Sequence, residues 1–464
     1  MADQVLIEHL LRRTEFVARP WRVVELKQLS LEAAVDNVLN DHPADPGTVA
    51  FATADNFQRG VELTWYWLDR MAFDSPKPMQ ERMGLFWHGH FVTGLMKIEV
   101  ADPLREQIDL FRRSGLSNLR DLTKAMAKQA AMLRYLDNDQ NLAVSPNQNF
   151  ARELMELFLL GVGNYTEADV EAGTAAWAGH TQTTTNQYQW RGDWHNCATA
   201  PRSFLGRQIH VHPDPRFHGD ETIDVILGDG VVPQGASVAA NRGRPTREVA
   251  AEFVSRKLWR AFAGTEPSHA VVATLRDTAI AHNFEIRPWV RRLLLLPEFY
   301  GADAMQGLVA TPMHSMVKML AATGLRARNN APLWWMDGMG QRPLLPLDVS
   351  GWGHNIDFVN ASAMARRADA ARYLSWTANA SYWSGDLKSH LPFESIPQAD
   401  IDYRYDTTVP GKAEALVDRF LAAMGVSLRP HSRQVLVEFA RTCPWYQRQE
   451  LVLLTLLTPD FHTA

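Results

Sequence analysis

Apolar residues recur at three- and four-residue spacing through almost the whole chain, while runs alternating with period two are few. Such spacing lays one apolar stripe along an α-helix, so the chain is confined to a mostly α fold. The pattern predicts helices over Val5–Arg13, Val23–Leu39, Asn56–Met71, Pro103–Ser114 and Ser117–Leu136. A helix over Asn147–Gly163 follows, then one opened by Thr166, with Asp169 three residues on, close to a capping box. Further helices are expected over Thr246–Ala263, Ser268–His282, Ile286–Leu295, Pro312–Thr323, Ala361–Trp376, Gly411–Met424, Pro430–Thr442 and Gln447–Leu457. Two long stretches break the pattern. Gln182–Arg216 is rich in Thr, Asn, Trp and His and has room for a short hairpin; Asn329–Asn360 is rich in Trp, Gly and Pro. Long structureless loops inside a domain are functional or disordered, and aromatic content points to order.

A chain of 464 residues can bury one large core or two to three smaller ones. No repeat of roughly 20–50 residues and no low-complexity linker divides it. The expectation is a single large multi-helical domain over 1–464, with at most a few short strands. A soft seam near 265–300 would separate a site-bearing lobe from a C-terminal helical lobe. A net charge of -5 gives no basic field for nucleic acid. The two cysteines, Cys197 and Cys443, fit neither a disulfide framework nor a cysteine zinc site. No apolar run approaches the roughly 18 residues that cross a bilayer, and acids and arginines come too early for a secretory signal. A soluble cytoplasmic protein with no membrane partner is expected. Phosphate-loop, dinucleotide, nucleophile-elbow, HExxH and EF-hand patterns are all missing.

The segment NQNFARELMELFLLGVG, residues 147–163, sets the chemistry. At about 100° per residue, Asn149, Arg152, Glu153 and Glu156 fall within a sector of roughly 100°, with leucines, Met155 and Phe158 around the rest. A helix apolar on most of its circumference is normally buried, and buried charge needs a partner or a metal. Glu153 and Glu156 have the spacing that lets two carboxylates meet one cation, although Arg152 could neutralise one of them instead. Histidines supply the other candidate ligands. In Phe86-Trp87-His88-Gly89-His90-Phe91 the two imidazoles share a face if the segment is extended and diverge by about 200° if it is helical. His180, His195, His210, His212 and His218 lie in or beside the first long loop, where His210 and His212, near several prolines, read as an exposed turn.

Taken in order, these segments resemble a bacterial family catalogued as domain of unknown function 1800. His9-Leu10-Leu11-Arg12-Arg13 is similar to its opening motif and FWHGHF at 86–91 to its double-histidine motif. Ala131-Met132-Leu133 and Tyr135-Leu136-Asp137-Asn138 precede the long motif NQNFARELMELFLLGVGNYT, and Trp177 stands near the family tryptophan. His195-Asn196 and Phe204-Leu205-Gly206 occupy its His-Asp and Leu-Gly positions. Lys257-Leu258-Trp259, Pro297-Glu298-Phe299-Tyr300, Gly340-Gln341, Pro346 and Val349-Ser350-Gly351-Trp352 match later motifs. Asn196 replaces the usual acid, His314 stands where an acid is more frequent, and many relatives carry export signals. The resemblance implies no activity, but it makes His195 the preferred loop ligand.

The reading that joins these residues is a metal-dependent enzyme. His88, His90 and His195 would bind the ion, with Glu153 or Glu156 as carboxylate ligand or base. Arg152 and Asn149 would support the ligands or hold a small-molecule or peptide substrate. Such a set suits iron or copper activating oxygen, or zinc or manganese activating water for hydrolysis. An aromatic wall of Trp87, Trp177, Trp190 and Trp194 favours an oxidoreductase, because it excludes water. The rival from another class is a non-enzymatic helical scaffold or binding protein, in which the stripe is a buried network fixing helix register.

Overall fold

A computed structural model describes residues 2–39, 45–195, 201–305, 307–384 and 404–463. Helix makes up 61% of it, and the sheets among the described residues are two antiparallel hairpins. The helices Thr246–Ala263, Pro312–Thr323 and Pro430–Thr442 run where the apolar spacing puts them. Others break. The run Val23–Leu39 is two helices, Pro20–Leu26 and Leu31–Leu39, with Ser30 Oγ accepting from the Ala33 amide at 3.1 Å to start the second. The run Ser117–Leu136 divides into Leu119–Ala127 and Ala130–Tyr135 around Lys128, whose ammonium reaches Asp220 at 2.7 Å. Both turns leave the apolar stripe nearly in phase, so spacing alone does not reveal them.

Two apolar clusters form the core. One gathers residues from Ile7 to Ala304, the other from Phe16 to Phe461. In the C-terminal half the change-over falls between Ala304 and Met313, but Val61, Trp67, Leu104 and Ile108 also join the second cluster. The helix Pro78–His90 sits between them, giving Met79, Met83 and Trp87 to the first and Leu85 to the second. Its burial on both sides is made tolerable by pairing: Arg112 donates to both oxygens of Glu81 at 2.8 Å, and Trp67 Nε1 adds a third bond at 3.0 Å.

The first long loop holds two hairpins rather than one. His180–Gln182 pairs with Tyr188–Trp190, and Arg202–Phe204 with Arg207–Ile209. The second long stretch is not irregular throughout: Ala331–Gly338 is a helix, opened by Asn329 Oδ1 accepting from the Ala331 amide at 3.0 Å. Its Pro332 and tryptophans hide that turn from a reading based on composition. Among the described residues no helix is long and apolar enough to cross a membrane.

Candidate metal centre

The capping box expected at Thr166 forms, and it does more than start a helix. Asp169 Oδ2 accepts from the Thr166 amide at 2.8 Å, while its Oδ1 accepts from the Leu205 amide at 2.7 Å. The second hairpin is thereby tied to the helix Glu167–Trp177. Two residues past its end lies Gly179, whose φ of +87° turns the chain into the first hairpin; an added Cβ would lie 2.5 Å from the Arg191 carbonyl. A turn beyond Trp190 then presents His195. After the second hairpin, His210 adopts φ 65°, in the left-handed region. Glu221 holds it there, accepting from the amides of His210, Val211 and His212 at 2.5, 3.2 and 2.7 Å. Glu221 belongs to the helix His218–Ile226, which brings its first residue, His218, beside the other two rings. Trp177 packs against this helix start, so close that a Cβ on Gly219 would come within 2.7 Å of the indole.

Three buried imidazoles result, from His195, His210 and His218, each with a ring nitrogen within 4.8 Å of the others. Their hydrogen bonds decide how the rings are protonated. His195 Nδ1 donates to the Ala178 carbonyl at 2.8 Å, leaving a lone pair on Nε2. His218 Nε2 donates to the His212 carbonyl at 3.0 Å, leaving a lone pair on Nδ1. Those two lone pairs face one another at 3.0 Å. With no positive charge between them the contact is repulsive. A tetrahedral ion with bonds of about 2.0–2.1 Å would set ligand nitrogens about 3.3 Å apart, close to what is seen. A bound proton is the other remedy, and burial of the His195 ring works against placing it there. Desolvation lowers the pKa of His195, and lowers that of His210 to about 3 with help from the neighbouring His218 and His195. Neither ring nitrogen of His210 has a hydrogen-bond partner among the described residues.

Of the expected ligands, only His195 belongs to this group, and no other cluster of three ligating side chains occurs among the described residues. His88 and His90 lie in the last turn of a helix, so their rings diverge. His88 Nε2 accepts from the Leu344 amide at 3.2 Å, its ring lies between Trp67 and Trp352, and desolvation takes its pKa to about 4. His90 packs on Trp87 and Phe91. His210 is buried, which corrects the exposed-turn reading of that segment; His212 is exposed as expected. Asn196 lies outside the described residues. The crowding of four histidines into 195–218 is visible in the sequence, but not that His210 and His218 are the ones that meet His195.

The polar stripe takes a different form from the one its spacing suggests. Asn149–Glu153 is α-helical, but Leu154–Leu159 widens into a π-turn, and the stripe lies at a half-buried edge. Arg152 turns away from both neighbouring glutamates and grips Glu167 at 2.9 and 2.7 Å. Glu156 accepts from the Tyr165 hydroxyl. Desolvation and the adjacent Glu156 raise the pKa of Glu153. Asn149 donates to the Leu136 carbonyl at 3.3 Å and lines a cavity of about 310 Å³ with Lys97, Tyr135 and Pro346.

A family model described as "Protein of unknown function (DUF1800)" matches residues 9–463. No curated protein and no solved structure matches the chain.

Proposed function

The chain belongs to the DUF1800 family, and from that premise we propose that it is a metal-dependent enzyme centred on His195, His210 and His218. The observation that carries this reading is the pair of imidazole lone pairs facing at 3.0 Å, each oriented by a backbone carbonyl behind it. Carbonyls in that position fix tautomer and ring direction in metal sites. Three neutral nitrogen ligands leave positions open for substrate, and a bound ion would supply Lewis acidity or redox chemistry there.

A cavity of about 300 Å³, lined by Asn141, Gln148, Glu171, Ala178 and Arg202, shares Ala178 with the surroundings of His195. Ala178 carries the carbonyl that orients His195, and the positive charge of Arg202 acts on His195 and His210. A small molecule or peptide end would enter here. Trp190 packs on His195 with ring centroids 4.9 Å apart, and Trp177 and Trp190 enclose His180. This wall favours oxidation by iron or copper over hydrolysis by zinc, since it keeps water from the reacting atoms. The polar stripe supports a second reading for itself alone. With Arg152 on Glu167 and Glu156 on Tyr165, it serves to hold helix register.

Elemental analysis after loading with iron, copper, zinc or manganese tests the proposal. About one ion per chain is expected, lost in H210A and retained in H90A, with circular dichroism unchanged in both. Retention of metal by H195A/H210A, or none in the parent protein, overturns the centre. A protein that takes up zinc alone overturns the oxidative reading.

A further inference from the structure

Segments that the metal centre does not use converge elsewhere. The helix Pro78–His90, the helix Thr246–Ala263, Thr311–His314 and the stretch Gln341–His354 enclose a cleft of about 300 Å³. Its walls carry Arg82, Lys257, Arg260 and three histidines, with no aspartate or glutamate among them. Among the described residues Arg260 pairs with Glu266 at 2.6 Å, and the Asp357 carboxylate accepts from the His354 amide at 2.7 Å. Arg82 is buried and donates through Nε to the Arg13 carbonyl at 2.9 Å and through Nη2 to the Ala261 carbonyl at 2.6 Å. Lys257 donates to the Leu157 carbonyl at 2.8 Å and keeps two further N–H groups. No carboxylate pairs with either among the described residues. Behind Arg82 lies Arg13, fully buried and likewise held by a carbonyl, that of Ala304. Carbonyls solvate a cation but do not cancel its charge, and desolvation lowers the pKa of Arg82 to about 10 and of Lys257 to about 8.

Two more donors face this charge. Gln341 Oε1 accepts from the Met313 amide at 3.2 Å, which leaves its amide N–H groups to donate. His90 lines the same cleft; neither of its ring nitrogens makes a well-formed hydrogen bond, although the Phe158 carbonyl lies close enough to favour the protonated ring. Phe86, Leu308 and Trp352 make the remaining wall apolar.

We propose that this cleft binds the phosphoryl group of a small phosphate monoester, with Arg82, Lys257 and Gln341 on the oxyanion and the organic part against Phe86 and Trp352. Two uncompensated cations match a group carrying close to two negative charges on one centre. The cleft volume admits a small ester and no polymer. The site is independent of the histidine centre.

Isothermal titration of the full chain with inorganic phosphate, at pH 7 and constant ionic strength, tests it. Saturable binding near one per chain is expected, weakened at least tenfold in K257M, restored to within a few-fold in K257R, and unchanged in H210A. Malonate and chloride should compete at least tenfold more weakly. Absence of binding, equal binding of malonate or chloride, or full binding by folded K257M overturns the proposal. Should K257M not fold, acylation of Lys257 in the unaltered protein decides: phosphate must slow it at least severalfold relative to chloride, and equal rates overturn the site.

Discussion

Two ring nitrogens that each carry a lone pair 3.0 Å apart need a cation or a proton between them, and this pairing distinguishes His195 and His218 from the other buried histidines. His9 Nε2 donates to the Phe299 carbonyl, His314 Nε2 donates to the Phe16 carbonyl, and His88 Nε2 accepts from the Leu344 amide. Each of those rings has one partner of the opposite kind and fits a structural role. Glu221 fixes the backbone at His210, because three amide donors converge on its carboxylate and pin a left-handed turn. Hydrogen bonds to a charged group are each worth about 1.5–3 kcal/mol, and residues that orient ligands typically govern metal affinity by about 10–100-fold. E221A should therefore lower metal affinity by about that factor in competition with a chelator dye while leaving helix content unchanged. Undiminished affinity would mean that His210 is not held for a ligand role.

Among the elements, the hairpins and the short helix His218–Ile226 do the positioning, while the long helices supply rigidity. Trp177 connects the two classes. It ends the helix Glu167–Trp177, donates through Nε1 to Thr222 at 3.0 Å, and presses on Gly219, the residue after His218. A methyl group at Gly219 would overlap a rigid indole rather than a flexible chain end. Overpacking of this kind costs about 1–3 kcal/mol. G219A should lower the urea midpoint accordingly and, by displacing His218, reduce bound metal by more than E221A does. A stable G219A with full metal content would show that the close approach is not what places His218. The same logic explains the divided helices: Lys128 leaves the helical run to meet Asp220, two residues beyond His218, so a break in one helix steadies another.

At the scale of the whole molecule, the buried histidines set a common response to acid. Desolvation lowers the pKa of His9 to about 2, His88 to about 4, and His210 and His462 to about 3, from an ordinary value near 6.5. The unfolded chain therefore binds more protons than the folded one between those values, so stability is complete above about pH 6.5 and falls on acidification. The urea midpoint should drop steadily from about pH 6.5 towards 4, and bound metal should shift the onset lower. A midpoint constant down to pH 4.5 would contradict the burial of these rings. The fold class was legible because helical spacing is a local property: each amphipathic stretch declares its period without reference to any other. The same holds for the Thr166 cap, whose partner is three residues away. Family membership was legible too, since the motif helix is long and unusual. The direction of Arg152, by contrast, depended on Glu167 fifteen residues on and on a π-turn that no propensity announces. Which histidines meet depended on a positive φ at His210, a distant carboxylate and a tryptophan against a glycine. Sequence by itself thus determined the helices and the family, because those follow from neighbours along the chain. Only tertiary structure decided which histidines meet and where the cationic cleft lies, because charge compensation and lone-pair direction are set by groups that the chain brings together from far apart.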